Sequence, residues 1–193
     1  GDAMGGIVAG AADWMKDVRA IRAATGAVLH PQAAYTLHRG LQTLGARVRV
    51  AQANATQLAF QLRDNPFIES VYFPGFRDCD PGRLVGEELR GPGAMLGFTV
   101  RGGFTAASAI MKFVRLCTPA VSLGSTDTLI QHPAALTHGV VAEDVKEALG
   151  ISPGFLRISV GLEDPRDLID DLEQALEKAH QNQAALDSES RVA

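Results

Sequence analysis

The chain has 193 residues, of which 46% are apolar and 21% charged, enough for one sizeable domain or one and a fraction with a core of its own. Its net charge of −4 excludes the basic footprint of a nucleic-acid binder, and no apolar run approaches the length of a membrane span. The opening Gly1-Asp2-Ala3-Met4-Gly5-Gly6-Ile7-Val8-Ala9-Gly10 lacks the basic start and apolar core of a secretory signal. Cys79 and Cys117 form no C-x-x-C pair, so a reduced, cytoplasmic chain is expected.

Gly6–Gly10 reads as a short buried strand. Ala12 to Ala24 reads as a helix, with Trp14, Met15, Val18 and Ile21 on one side and Gly26 beyond its end. Pro31 opens a helical stretch reaching about Arg63, long enough to link two domains, although Gly40 and Gly45 weaken it locally. Ile68 to Phe73 alternates as a strand and stops at Pro74-Gly75. A loop from Arg77 to Gly93 holds a short helix between Gly82 and Arg90. Met95–Arg101 is the next strand, Thr105–Arg115 a helix, and Leu116–Leu123 a strand-like run ending at Gly124. Ala142–Leu149 is a short helix closed by Gly150.

In the last strand Leu156, Ile158 and Val160 alternate with Phe155, Arg157 and Ser159. A helix follows, with Asp164 as its cap, Pro165 at its first position and Asp167 where the helix dipole favours negative charge. Leu168, Ile169, Leu172, Ala175, Leu176 and Ala179 form its apolar face, and the polar tail after about Gln181 is expected to fray. The order from Ile68 onward predicts an α/β layer with helices on one face of a small sheet.

Arg157 is the odd residue of its strand. A guanidinium cannot deprotonate, so it needs either a structural Asp or Glu, a wet sheet face, or an anionic ligand received by its two-pronged fork. The stretch Ser122 to His138 is dense in hydroxyls with little regular periodicity, which suits a ligand-binding loop or an ordinary solvated Ser/Thr turn. A Ser-His-Asp hydrolase built from Ser122, Asp127 and His138 fails at the nucleophile elbow, because Ala120-Val121-Ser122-Leu123-Gly124 is not Gly-x-Ser-x-Gly. His132 and His138 lack metal-ligand spacing, and His30 and His38 read as surface or inter-element contacts. Arg19, Arg22, Arg39, Arg47 and Arg49 read mostly as wet helix faces.

Several segments, in order, resemble one enzyme family. They are Thr25-Gly26-Ala27-Val28-Leu29-His30-Pro31, Arg39-Gly40-Leu41-Gln42-Thr43-Leu44 with Arg47, Val71-Tyr72-Phe73-Pro74-Gly75, Ser122-Leu123-Gly124, His132-Pro133-Ala134, Thr137-His138 and Arg157-Ile158-Ser159-Val160-Gly161-Leu162-Glu163-Asp164 with Asp167-Leu168-Ile169. Together they are similar to the Cys/Met-metabolism pyridoxal-phosphate enzymes: cystathionine γ-synthase, the cystathionine lyases, methionine γ-lyase and the O-acylhomoserine sulfhydrylases.

The resemblance implies a fold-type I transferase, of which this chain matches only the C-terminal half. Residues 1–44 would end the large cofactor domain, and 45–193 would form a small α/β domain with a mainly antiparallel sheet. The implied cofactor, pyridoxal 5′-phosphate, would be held mainly by residues outside the chain. Lys16, Lys112, Lys146 and Lys178 sit in helical contexts and do not match the family's Schiff-base lysine. Arg157 matches the residue that binds the substrate α-carboxylate, Ser122 the serine beside it, Thr137 a hydroxyl of the pocket wall, and Arg22 a basic residue near the active site. Val121 stands where several cystathionine-handling members carry an acid, which favours a methionine γ-lyase-like substrate.

The implied partners are the N-terminal half of the enzyme, further copies in a tetramer and a small amino acid, with neither nucleic acid nor membrane. The implied reaction is γ-elimination or γ-replacement on methionine, cystathionine or an O-acylhomoserine. The contrasting expectation is a free-standing, noncatalytic structural or binding chain.

Overall fold

The computed structural model describes residues 2–136, 145 and 152–190, with the backbone alone at 183 and 185–190. It divides into two compact units, Gly1–Ala46 and Arg47–Ala193. Helix α2, Pro31–Arg63, passes from one into the other.

In the first unit, α1 spans Ala12–Thr25 and ends at Gly26, whose φ of +70° supplies the left-handed turn that a C-terminal glycine provides at least cost. Residues 2–11 are irregular rather than the expected strand at 6–10. A strand needs a neighbouring ladder for its N–H and C=O groups, and the described residues of this unit contain no other strand. None of the α1 side chains is buried.

The second unit is an α/β layer. Its strands are β1 (Ile68–Tyr72), β2 (Met95–Val100), β3 (Thr118–Pro119), β4 (Leu129–Gln131) and β5 (Phe155–Ser159), in the spatial order β1-β2-β5-β4-β3. Neighbours run antiparallel except β3 and β4, which are parallel. Helices α4 (Gly103–Phe113) and α5 (Pro165–Ser190) follow β2 and β5. The helical turn α3, Leu84–Glu87, is the short helix expected between Gly82 and Arg90. The Asp80 carboxylate accepts the N–H groups of Leu84 and Val85 at 2.9 Å each, and Val85 and Gly86 then leave helical geometry.

One face of the sheet is the core. Leu96, Phe98, Val100, Ile130, Leu156, Ile158 and Val160 pack with Ala55, Leu58, Ala59 and Leu62 of α2, Ala106, Ala107 and Ile110 of α4, and Leu168, Leu172, Ala175, Leu176 and Ala179 of α5. Burial of that apolar set is the main driving force for the layer. The α5 cap is as expected: Asp164 Oδ1 accepts the Arg166 N–H at 2.8 Å. The helix backbone then continues to Ser190, past the point where fraying was expected. The strand-like run 116–123 shortens to β3, and β4 emerges inside the stretch expected to be loop. The expected helix at 142–149 lies outside the described residues apart from Val145.

Candidate functional site

Strand alternation sends Phe155, Arg157 and Ser159 to the face opposite the core. Register aligns four residues there in a row: Tyr72 opposite Gly97, Gly97 opposite Arg157, and Arg157 opposite Gln131. Gly97 belongs in that row because a Cβ there would meet the Phe155 ring at 2.6 Å. The Phe155 ring lies edge-on to Tyr72, centroids 5.9 Å apart.

Arg157 has no carboxylate partner among the described residues. Its Nη2 donates to the main-chain oxygen of Ser122 at 2.8 Å, while its Nε–H is buried and meets no acceptor. An ordinary structural arginine would place a carboxylate there. A buried donor left unmade costs about 1–3 kcal/mol, and the described residues supply no acceptor for this one.

The loop that carries Ser122 is fastened from several directions. Gly124 adopts φ +78° and donates its N–H to Ser159 Oγ at 2.8 Å. Farther along, the Glu163 carboxylate accepts both the N–H and the hydroxyl of Thr128, the latter at 2.8 Å. Thr128 Oγ1 in turn accepts the Gly161 N–H at 2.9 Å. Gly161 is required by close approach: a side chain there would run into the backbone of Thr126 and Asp127. Asn54 of α2 donates to the carbonyls of Gly161 and Glu163 at 3.2 and 2.8 Å, tying the end of β5 to the helix layer.

His132 follows Gln131 and shares the core face with Ile130, two residues before it. It is buried, its Nε2 donates to Pro153 O at 2.8 Å, and its ring meets Phe104 at 4.9 Å between centroids. Burial pushes its pKa below the ordinary range, against the Pro153 bond, so the ring is neutral with Nε2 protonated.

Of the residues singled out from sequence, the structure brings Arg157 and Ser122 together, and Val121 adjoins them with an exposed side chain. Arg22 stands on the last turn of α1 in the other unit. Thr137 and His138 lie outside the described residues. Asp127 bonds within its own turn, to Ser125 and Thr126 at 3.4 Å. Among the described residues no group of three or more His, Cys, Asp or Glu side chains is placed to hold a metal, and no helix is long and apolar enough to cross a membrane. Ser159, Gly161 and Glu163 were not foreseen. Their available signal was position: Ser159 is two residues from Arg157 and so shares its strand face.

The chain is 50% identical over 177 residues to an L-methionine gamma-lyase of Brevibacterium aurantiacum, covering 92% of this chain and 43% of that protein. It is 41% identical over 180 residues to an L-methionine gamma-lyase of Fusobacterium nucleatum subsp. polymorphum, covering 92% and 46%. Among solved structures, it is similar to a cystathionine gamma synthase of Xanthomonas oryzae pv. oryzae in complex with aminoacrylate and cysteine, with TM-score 0.82, 37% identity and coverage of 90% and 45%. A cystathione gamma lyase of Micromonospora echinospora gives TM-score 0.82 at 35% identity, covering 88% and 44%. The chain thus spans under half the length of each of these proteins. Since the family model described as Cys/Met metabolism PLP-dependent enzyme matches residues 1–177, nearly the whole chain, the chain belongs to that family.

Proposed function

We propose that this chain is the C-terminal part of a pyridoxal-phosphate enzyme that eliminates the γ-substituent of a sulfur amino acid, methionine γ-lyase-like, and that Arg157 receives the substrate α-carboxylate. The observation that carries the reading is the Arg157 fork, which has a main-chain oxygen on one prong, a buried Nε–H without an acceptor, and no acid beside it among the described residues. The relatives at 41% and 50% identity are lyases of this kind. Val121, apolar and exposed next to Ser122, suits a thioether better than a distal ammonium group.

The family takes pyridoxal phosphate, whose chemistry is that of an electron sink. The described residues do not form a covalent anchor for it. Lys112 lies on α4 and Lys178 on α5, where it bonds Gln174 at 2.8 Å, and both helices cover the sheet face opposite Arg157. Lys16 belongs to the first unit, and Lys146 lies outside the described residues. In this reading the lysine comes from the N-terminal half of the enzyme, residues 1–44 finish its large domain, and residues 45–193 form the small one. The chain contributes orientation: a fixed cation that holds the amino acid by one end while chemistry proceeds at the other.

The full-length protein, loaded with cofactor, is offered L-methionine, L-cystathionine and an O-acyl-L-homoserine with and without an added thiol. Release of ammonia, a 2-oxo acid and a thiol from L-methionine is the expected result. Turnover that requires the added thiol indicates γ-replacement instead, and no turnover with any of them overturns the assignment.

A further inference from the structure

The Arg157 reading leaves open what aims the guanidinium. The loop that meets it runs free of the sheet between Ala120, whose N–H bonds Ile130 O at 3.0 Å, and Thr126, whose carbonyl accepts the Leu162 N–H at 2.8 Å. Between those points, two hydrogen bonds tie the described loop to the sheet, and both come from β5. Arg157 donates to Ser122 O, and Ser159 Oγ accepts the Gly124 N–H, each at 2.8 Å. The two side chains are two residues apart and project from the same strand face. Ser159 is buried, so its hydroxyl has little competing water. Gly124, at φ +78°, turns the chain so that a carbonyl and an amide two residues apart both point back to the one strand.

We propose that Ser159 is a positioning residue for the carboxylate clamp. By anchoring Gly124 it fixes the Ser122 carbonyl, which takes one N–H of Arg157 and leaves the rest of the fork, including the buried Nε–H, directed at the ligand. The inference rests on the reading that Arg157 receives a carboxylate. Loss of the Ser159 hydroxyl strands the Gly124 N–H and loosens the Ser122 carbonyl. The guanidinium then pays an ordering cost at the moment of binding that the anchored loop has already met. That cost falls only on ligands that carry the carboxylate.

The test uses the full-length, cofactor-loaded enzyme and two unreactive probes, L-norleucine and n-pentylamine, the same molecule without its α-carboxylate. Ser159→Ala is expected to weaken L-norleucine about fivefold, the worth of one ordinary hydrogen bond, and to leave n-pentylamine unchanged. Ser159→Thr, which keeps the hydroxyl, is expected to bind both probes as the parent does. In an Arg157→Lys background Ser159→Ala is expected to add nothing, because the two changes act on one interaction. Equal weakening of both probes, or a lowered melting temperature with both affinities unchanged, makes Ser159 merely structural and overturns the inference. If Arg157→Lys weakens L-norleucine and Ser159→Ala does not, the inference fails while the Arg157 reading stands. If Arg157→Lys itself leaves L-norleucine binding intact, that reading fails and takes the inference with it. Ser159→Cys, close in size and a weak acceptor, answers the same question should the alanine variant not fold, with the same loss expected.

Discussion

The carboxylate of Asp171 on α5 accepts the backbone N–H of Cys117 at 2.9 Å, across 54 residues of sequence. The same side chain takes the N–H of Leu116 on Oδ2 at 2.9 Å and that of Arg115 on Oδ1 at 2.8 Å. Three consecutive amides at the exit of α4 are thus satisfied by one acid, which fastens the approach to β3 against α5. Asp171→Asn keeps the shape but replaces one oxygen with an NH2 that points at a donor. The expected loss is about 3 kcal/mol, from stranded amides and a lost charge-assisted bond, or roughly 6–12 °C in melting temperature for a chain this size. Thermal unfolding measures it, and a melting temperature within 2 °C of the parent would show that the turn is held by something else.

Two groups give the stability a pH dependence of known sign. Burial pulls the Asp171 carboxyl upward, but the N–H groups of Cys117, Arg115 and Leu116 outweigh it and leave its pKa below the ordinary 3.8. The stability it contributes is present above 3.8 and is lost as pH falls from there through the lower folded-state pKa. His132 is shifted below the ordinary 6.5 by burial, so the unfolded chain takes up its proton first. Stability therefore falls as pH drops beneath 6.5, since the fold keeps the ring neutral and, among the described residues, a second N–H on it would have no acceptor. Urea midpoints against pH are expected to fall in two limbs, one beginning near pH 6.5 and one below pH 4. His132→Gln should abolish the first and spare the second. A single acid limb in the parent protein would contradict the His132 assignment.

Local signals carried most of the layer. The β5 alternation, the Asp164-Pro165 cap and the spacing of Leu168, Leu172 and Leu176 each depend on neighbours a few residues away, and each fixed its element. What escaped was long-range. All three residues of β4 are buried, including the polar Gln131, and they sit among hydroxyls, so no period-2 pattern distinguishes them from loop. Gly6–Gly10 has strand composition but no ladder to join among the described residues. Arg157 was conspicuous as a charge in an apolar strand, whereas Ser159, Glu163, Asn54 and Asp171 are ordinary polar residues whose roles arise only when segments 35 to 109 residues apart meet.

The first unit supplies a prediction about assembly. Trp14 is 77% and Ile21 63% exposed on α1, and Val18 lies on the same side. Bulky apolar side chains grouped on one helix face are unusual on a monomer and mark a surface meant to be covered. In the full-length protein the N-terminal half or a further copy is expected to cover it, and the tetramer that the family resemblance implies is expected in solution. Replacing Trp14 and Ile21 together with Ser is expected to dissociate or precipitate it. Light scattering that finds a monodisperse monomer of the parent protein would reject this.

Arg157→Lys tests the site itself. Lysine keeps the charge but loses the planar two-pronged donor, so it cannot both bond Ser122 O and pair with a carboxylate in the same geometry. Loss of the charge-assisted bonds to the substrate is expected to cost about 1.5–3 kcal/mol, roughly ten- to a hundredfold in kcat/KM. Folding should suffer much less. The partner seen in the structure is a main-chain oxygen on a surface loop, and among the described residues no buried acid is left stranded when the guanidinium goes. A structural arginine would behave in the opposite way: its removal would strand a buried countercharge and lower the melting temperature while substrate affinity held. Measuring both quantities on one preparation separates the two. Unchanged kinetics with a clearly lower melting temperature would remove Arg157 from the binding site.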